Sequence, residues 1–168
     1  MKKQIFLYSL STIIFLSFGF KTINQALKIK TYYSLESAIK SPKEVYKLDQ
    51  MFKGLKEFPV QILEFTNIED LVLRGNNIKS IPREIKALKN LKNLSLGQNP
   101  IQNVDTLFSS IKELNNLEEL DLEMTGIKSI PNSILELKKL KILFLWNNPI
   151  DSIEIKRIKA LLPEVEIK

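Results

Sequence analysis

Between residues 45 and 168 the apolar positions follow neither a simple helical period nor a simple strand period; they follow a long one. Five segments superpose: VYKLDQMFKGL (Val45 to Leu55), IEDLVLRGNNI (Ile68 to Ile78), LKNLSLGQNPI (Leu91 to Ile101), LEELDLEMTGI (Leu117 to Ile127) and LKILFLWNNPI (Leu140 to Ile150). A partial sixth, LPEVEIK, starts at Leu162, and the starts are separated by 23, 23, 26, 23 and 22 residues. Counting from the first residue of each segment, positions 1, 4, 6, 11 and 14 are apolar in 24 of 25 cases, Gln50 being the exception. Chance does not place apolar residues so regularly, so the period reports a repeated structural unit.

Within each unit the stretch around positions 3 to 5 alternates, as in Asp70-Leu71-Val72-Leu73-Arg74. Period two predicts a strand with one buried face. A single short strand cannot cover its own apolar side, so the units must stack. Stacking gives a parallel sheet with strands ~4.8 Å apart and one continuous core behind it. Phe58-Pro59, Ile81-Pro82 and Ile130-Pro131 mark turns into short helical returns, with Ile85 and Leu88, or Ile134 and Leu137, pointing inward. The third unit lacks the Pro and is three residues longer, which predicts a fuller helix over 105–116 with Leu107, Ile111 and Leu114 inside.

These residues resemble the leucine-rich-repeat unit L-x-x-L-x-L-x-x-N-x-L, and most of all small bacterial secreted members with 23-residue units and a Leu/Ile-Pro-x-x-Ile return. The resemblance covers about residues 45–168. It implies an α/β fold, a leucine-rich-repeat solenoid with a curved parallel sheet on the concave side and short helical returns on the convex side. Asn76, Asn99 and Asn148 fall on the family's Asn position, where an amide can satisfy buried backbone groups of its own and the adjacent coil. Thr125 and Lys53 depart from it, and the coil at Thr125 is expected to be slightly loosened.

The ends of a solenoid need covers. Residues 27–44 are expected to form a linker and cap helix: Tyr32, Leu35, Ala38 and Ile39 share a helical face, Ser34 is the N-cap and Pro42 the stop. At the other end Leu162, Val165 and Ile167 are expected to form the last strand. Ile153, Ile155, Ile158 and Leu161 are expected to form the final return. Residues 1–26 read as a signal peptide: Lys2 and Lys3, then an uncharged apolar run from Ile5 to Phe20, shorter than a bilayer span. The body is therefore expected outside the cytoplasm, whether secreted, periplasmic or at the cell surface, with no stable membrane span in the mature chain.

Composition narrows the chemistry. The chain has no His and no Cys, which removes His-based triads, thiol nucleophiles and the commonest zinc sites. Its five Gly never cluster into a phosphate-cradling loop. The formal charge is +6, but residues 45–168 carry only +1 of it, so the basic balance belongs to the N-terminal quarter and a nucleic-acid partner is not expected. No cofactor, metal or catalytic residue is expected.

The solvent side of the strands is where such an architecture places function. Positions 3, 5 and 7 point there. On the fifth strand they are Ile142, Phe144 and Trp146, an apolar stripe flanked by Glu119, Asp121 and Glu123 on one side and by Glu164 and Glu166 on the other. Aromatic anchors with charged rims suit a protein partner that is apolar with basic edges. Arg74 offers a cation for an acidic group, or an internal ion pair. Three carboxylates spread along one strand do not supply the six or more close oxygens of a calcium site. An open sheet lacks the enclosing cleft that a glycosidase acid requires. The expected function is an exported, non-catalytic, monomeric protein-binding module. The alternatives are a structural envelope protein assembling through the edge strand Val165 to Ile167 and a hydrolase using the concave-face carboxylates.

Overall fold

The computed structural model describes residues 30–168, so the expected leader and residues 27–29 lie outside the described residues. Residues 31–168 form one compact unit. Its centre is a seven-stranded parallel sheet in which spatial order equals chain order. The strands are β1 (Thr31–Tyr32), β2 (Lys47–Asp49), β3 (Asp70–Val72), β4 (Asn93–Ser95), β5 (Glu119–Asp121), β6 (Ile142–Phe144) and β7 (Glu166–Ile167). In β2 to β6 the middle residue is buried and its two neighbours are half-buried, as period-two alternation requires. Leu48, Leu71, Leu94, Leu120 and Leu143 stack in one register across five coils.

Returns of two kinds alternate with the strands, and local sequence decides between them. After Pro59, Pro82 and Pro131 come 3-10 turns over Val60–Glu64, Arg83–Ala87 and Asn132–Glu136, each burying one isoleucine. Where an N-cap side chain replaces Pro, a true α-helix forms. Asn103 accepts from Thr106 N at 2.9 Å and starts α2 (Val104–Ile111); Asp151 accepts from Glu154 N at 2.8 Å and starts α3 (Ser152–Leu161). Leu107, Phe108, Ile111 and Leu114 are buried in the longer return, matching the fuller helix that its length predicts.

Side chains join the coils. Asn76 Nδ2 donates to Gln50 O and Leu73 O, and its Oδ1 accepts from Lys53 N and Leu55 N. Asn99 Nδ2 donates to Leu73 O and Leu96 O, and its Oδ1 accepts from Ile78 N. Asn148 repeats the pattern onto Leu122 O, Leu145 O, Thr125 N and Gly126 N. A second ladder, one residue ahead of each unit, runs from Asn67 to Lys43 O, Asn90 to Thr66 O and Asn116 to Lys89 O.

Five expectations need correction. Tyr32 is not on the cap helix: it lies in β1, buried, and extends the sheet beyond β2. The helix itself, α1, is only Leu35–Ile39, capped by Ser34, and Ile39 is exposed because one turn of helix cannot turn both ends of its apolar face inward. The last unit is out of phase by two residues: Ile142 pairs with Glu166 and Leu143 with Ile167, because α3 takes up two more residues than the sequence alignment allowed. Ile153 is not part of the final return's core; it is 78% exposed, sitting in the first turn of α3 where the other units hold a Pro turn.

The coil at Thr125 is not loosened. Thr125 is buried, its hydroxyl donates to Leu122 O at 2.7 Å, and strand pairing is unbroken on both sides. The preceding coil explains why. It reads Asn99-Pro100-Ile101; Pro100 has no N–H and Ile101 N bonds back to Asn99 O, so little is left for an amide at position 125 to accept.

Candidate concave-face interface

Because β2 to β6 share one register, positions 3, 5 and 7 stand in rows across the open face of the sheet. The first row runs Lys47, Asp70, Asn93, Glu119, Ile142, Glu166; the second runs Asp49, Val72, Ser95, Asp121, Phe144. Ile142 and Phe144 are half-buried against their neighbours, and Trp146 at the strand's end is 62% exposed. The aromatic stripe therefore stands on the solvent side, as its alternation with Leu143 and Leu145 requires.

Its rims differ from the sequence expectation. On the β7 side, Glu166 lies beside Ile142, while Glu164 precedes the strand and does not flank the stripe. Lys168 pairs with Glu166 at 3.4 Å and sits 5.4 Å from the centroid of the Phe144 ring. That rim is neutral, not acidic. On the β5 side, Asp121 and Glu123 are engaged by Arg74, two coils away: Nη1 reaches Asp121 Oδ2 at 2.9 Å and Nη2 reaches Glu123 Oε2 at 2.6 Å. Burial pulls the Arg74 guanidinium down, but the hydrogen bonds to Glu123 and Asp121 outweigh it and hold its pKa above the ordinary value. Asp121 also accepts from Ser95 Oγ at 2.6 Å and Glu123 N at 2.9 Å.

Gly97 makes this bridge possible. The guanidinium crosses the intervening coil where Gly97 stands, and a Cβ there would come within 2.4 Å of Arg74 Nη1 and 2.7 Å of Asp121 Oδ2. Arg74 thus serves as an internal tie and not as a free cation. Of the four carboxylates Glu119, Asp121, Glu123 and Glu166, Glu119 alone makes no ion pair to a described residue. A cavity of about 320 Å³ opens at this point, with Asn93, Ser95 and Glu119 beside the Arg74 bridge and Phe144 as its apolar wall. The structure therefore brings Glu119, Asp121, Glu123, Arg74 and Phe144 together. Trp146 lines a separate, mostly apolar hollow of about 220 Å³ with Leu145, Ile155 and Ile167.

Charge is segregated on the molecule. The concave face carries six carboxylates (Asp49, Asp70, Glu119, Asp121, Glu123 and Glu166) against three cations (Lys47, Arg74 and Lys168), a net of −3 in a stretch, 45–168, whose total is +1. The remaining surface is accordingly positive. There Lys92–Glu69 and Lys141–Glu118 form ion pairs between successive coils, and the hydrogen bond from Lys141 draws the Glu118 carboxyl below its ordinary value.

Position 8 holds what the alternation did not reveal. Phe52, Gly75, Gln98, Met124 and Asn147 all have left-handed backbone, with φ between 53° and 70°. The parallel ladder runs on through this row: Phe52 N donates to Arg74 O, Gly75 N to Gly97 O, Gln98 N to Glu123 O and Met124 N to Trp146 O. Gly and Asn accept such a conformation readily, whereas Phe, Gln and Met do so at a cost of ~1–2 kcal/mol each. Phe52 and Met124 are 64% and 49% exposed, and the Phe52 ring rests so closely on Gly75 that a Cβ there would lie 2.2 Å from it. The alternation over positions 3, 5 and 7 stops short of this row. The missing signal is the Gly and Asn already present at two of the five equivalent positions.

Among the described residues no helix is long and apolar enough to cross a membrane. A sequence profile described as leucine-rich repeats (two copies) matches residues 66–109 and again 115–157. Among solved structures, the chain is similar to a leucine-rich-repeat protein of Leptospira interrogans, with 32% identity and a TM-score of 0.70 over 81% of this chain and 34% of that one. It is also similar in fold to internalin C2 of Listeria monocytogenes (18% identity, TM-score 0.61, 80% of this chain and 56% of that one). Internalin F of the same organism gives 21% identity and a TM-score of 0.58 over 82% of this chain and 39% of that one. The chain thus spans between about a third and just over half the length of these proteins. No curated protein matches it.

Proposed function

Because the chain belongs to the leucine-rich-repeat family, whose repeats are typical of protein-binding modules, we propose that it is an exported, non-catalytic, monomeric module that binds a protein partner on its concave face. The observation that carries this reading is β6: Ile142 and Phe144, with Trp146 just beyond them, line the open side of a sheet whose other outward strand residues are polar apart from Val72, and Trp146 keeps 62% of its surface in water. A tryptophan left so exposed forfeits burial that it regains only against another molecule. The partner is apolar where it meets the stripe and basic where it meets Glu119, the one carboxylate of the stripe's rims without an ion pair to a described residue. Asp121, Glu123 and Arg74 shape that rim as a single tied unit.

Export rests on residues 1–26 of the sequence, with secretion, the periplasm and the cell surface as destinations. Cell fractionation with N-terminal sequencing of the mature chain tests it, and a full-length chain recovered from the cytoplasm sinks it. For binding, the test is a pull-down with the wild type against Trp146→Ala plus Phe144→Ala. Loss of a specific partner is expected, and equal recovery of every protein removes the stripe from consideration.

A further inference from the structure

Two large apolar side chains, Phe52 and Met124, sit at the same position of the first and fourth coils, on strained backbone, Phe52 mostly and Met124 about half in water. In the free protein both features are unfavourable, and either Asn or Gly at these positions removes both. Three coils separate them, which is ~14 Å at ~4.8 Å per coil. Between them lie Gly75, with no side chain, and Gln98. The cavity of about 320 Å³ lies farther back along the strands, walled by residues at positions 3 to 7 such as Asp70 and Glu119. An extended chain advances ~3.3 Å per residue, so residues i and i+4 stand ~13 Å apart on the same side, with i+2 between them.

Resting on the concave-face reading above, we propose that the occupant is an extended, basic segment of the partner protein, laid across the coils. An apolar residue i sits against Phe52, an apolar residue i+4 sits against Met124, and the segment's Lys and Arg residues face the carboxylates of the concave face. Charge complementarity selects this occupant: the concave face is −3 while the rest of the domain is positive, so a basic segment is drawn to this face and repelled from the back. Met124 N donates to Trp146 O at 3.0 Å, so the backbone of the second anchor adjoins the end of the aromatic stripe.

The test is panning a random 12-residue phage library against the immobilised full-length chain. The expected yield is basic peptides with two apolar residues four apart. Synthetic copies of these are expected to bind at least tenfold more weakly to Phe52→Asn and to Met124→Asn, and more weakly as salt rises from 50 to 300 mM. Circular dichroism and thermal melts accompany the variants. Asn suits left-handed backbone, so Met124→Asn melts at or above the wild type and its lost binding cannot be ascribed to unfolding. Overturning results are no enrichment of the pattern, or pattern-bearing peptides whose affinity changes less than twofold in both variants. If Phe52→Asn and Met124→Asn keep the partner that Trp146→Ala plus Phe144→Ala loses, this proposal fails and the stripe stands. If the stripe variant loses nothing, the broader reading fails first.

Discussion

Asn99 and Thr125 occupy the same position in neighbouring coils, yet they carry different loads. Asn99 is buried; its amide is the acceptor for Ile78 N and a donor to Leu96 O and Leu73 O. Leu73 O keeps a second donor in Asn76, whereas Ile78 N is left unpaired if the amide is removed. A buried group so orphaned costs ~1–3 kcal/mol, and the lost bond to Leu96 O adds to it. Asn99→Ala is therefore expected to lower unfolding stability by roughly 2–4 kcal/mol in urea titrations. Thr125→Ala is expected to cost about 1 kcal/mol or less, because Leu122 O still accepts from Asn148. Equal losses at the two sites would show that the asparagines do not bear the coil-to-coil load. The sequence marked the Asn row through its spacing. It could not show that Pro100 makes an amide at 125 dispensable, since that follows from which N–H groups face each other across coils. Position 8 was opaque for a related reason: side-chain alternation carries no information about the sign of φ.

At the scale of an element, α3 is fixed to the preceding coil by charge as well as by packing. Glu154 Oε1 accepts from Ile130 N at 3.0 Å, and both its oxygens are held by Arg157, which also reaches Asn132 at 2.9 Å and Ile130 O. The Arg157 hydrogen bonds, opposed by burial and aided by the Ile130 N–H, hold the Glu154 carboxyl below the ordinary value of 4.5. A depressed folded-state pKa means that the contribution is complete above pH 4.5 and is lost as pH falls through the lower folded value. Arg157 is partly exposed, so a few tenths to about 1 kcal/mol is expected. Glu154→Gln should lower stability by more at pH 6 than at pH 3. A variant whose deficit is the same at both pH values would refute the tie. The element boundaries show where sequence stops sufficing. Pro placed the three short returns, and the longer spacing placed α2. The length of α3 depends on the Asp151 cap and on this anchorage, neither of which has a period, and its two extra residues moved β7 out of phase and replaced Glu164 by Lys168 beside the stripe.

Over the whole molecule, one reporter connects the packing of the sheet to its open face. The chain has a single tryptophan, Trp146; it is exposed at the end of the β6 stripe, lining a hollow with Ile155, Lys159, Ile167 and Lys168, and its carbonyl accepts from Met124 N. Its neighbours in the chain, Leu145 and Asn147, show how it is held: Leu145 is buried in the core and Asn147 has φ 57°, so the indole is aimed outward by backbone that cannot swing without breaking β6 from β7. The folded protein is therefore expected to emit at the long wavelength of a water-exposed indole and to be quenched by both acrylamide and iodide. The local surface charge separates these probes. Lys159 and Lys168 line the hollow beside the indole and attract iodide but not acrylamide, so iodide quenching should fall with added salt while acrylamide quenching stays constant. On adding a basic apolar-spaced peptide from the panning, the emission should shift to the blue and both quenchers should lose access together. A blue emission in the free protein at micromolar concentration that turns red on dilution would mean that Trp146 is covered by a second copy. The concave face would then be a self-association surface and not a receptor for another chain. A red, concentration-independent emission leaves the face free for a partner, and the charge partition between front and back then determines which partners reach it.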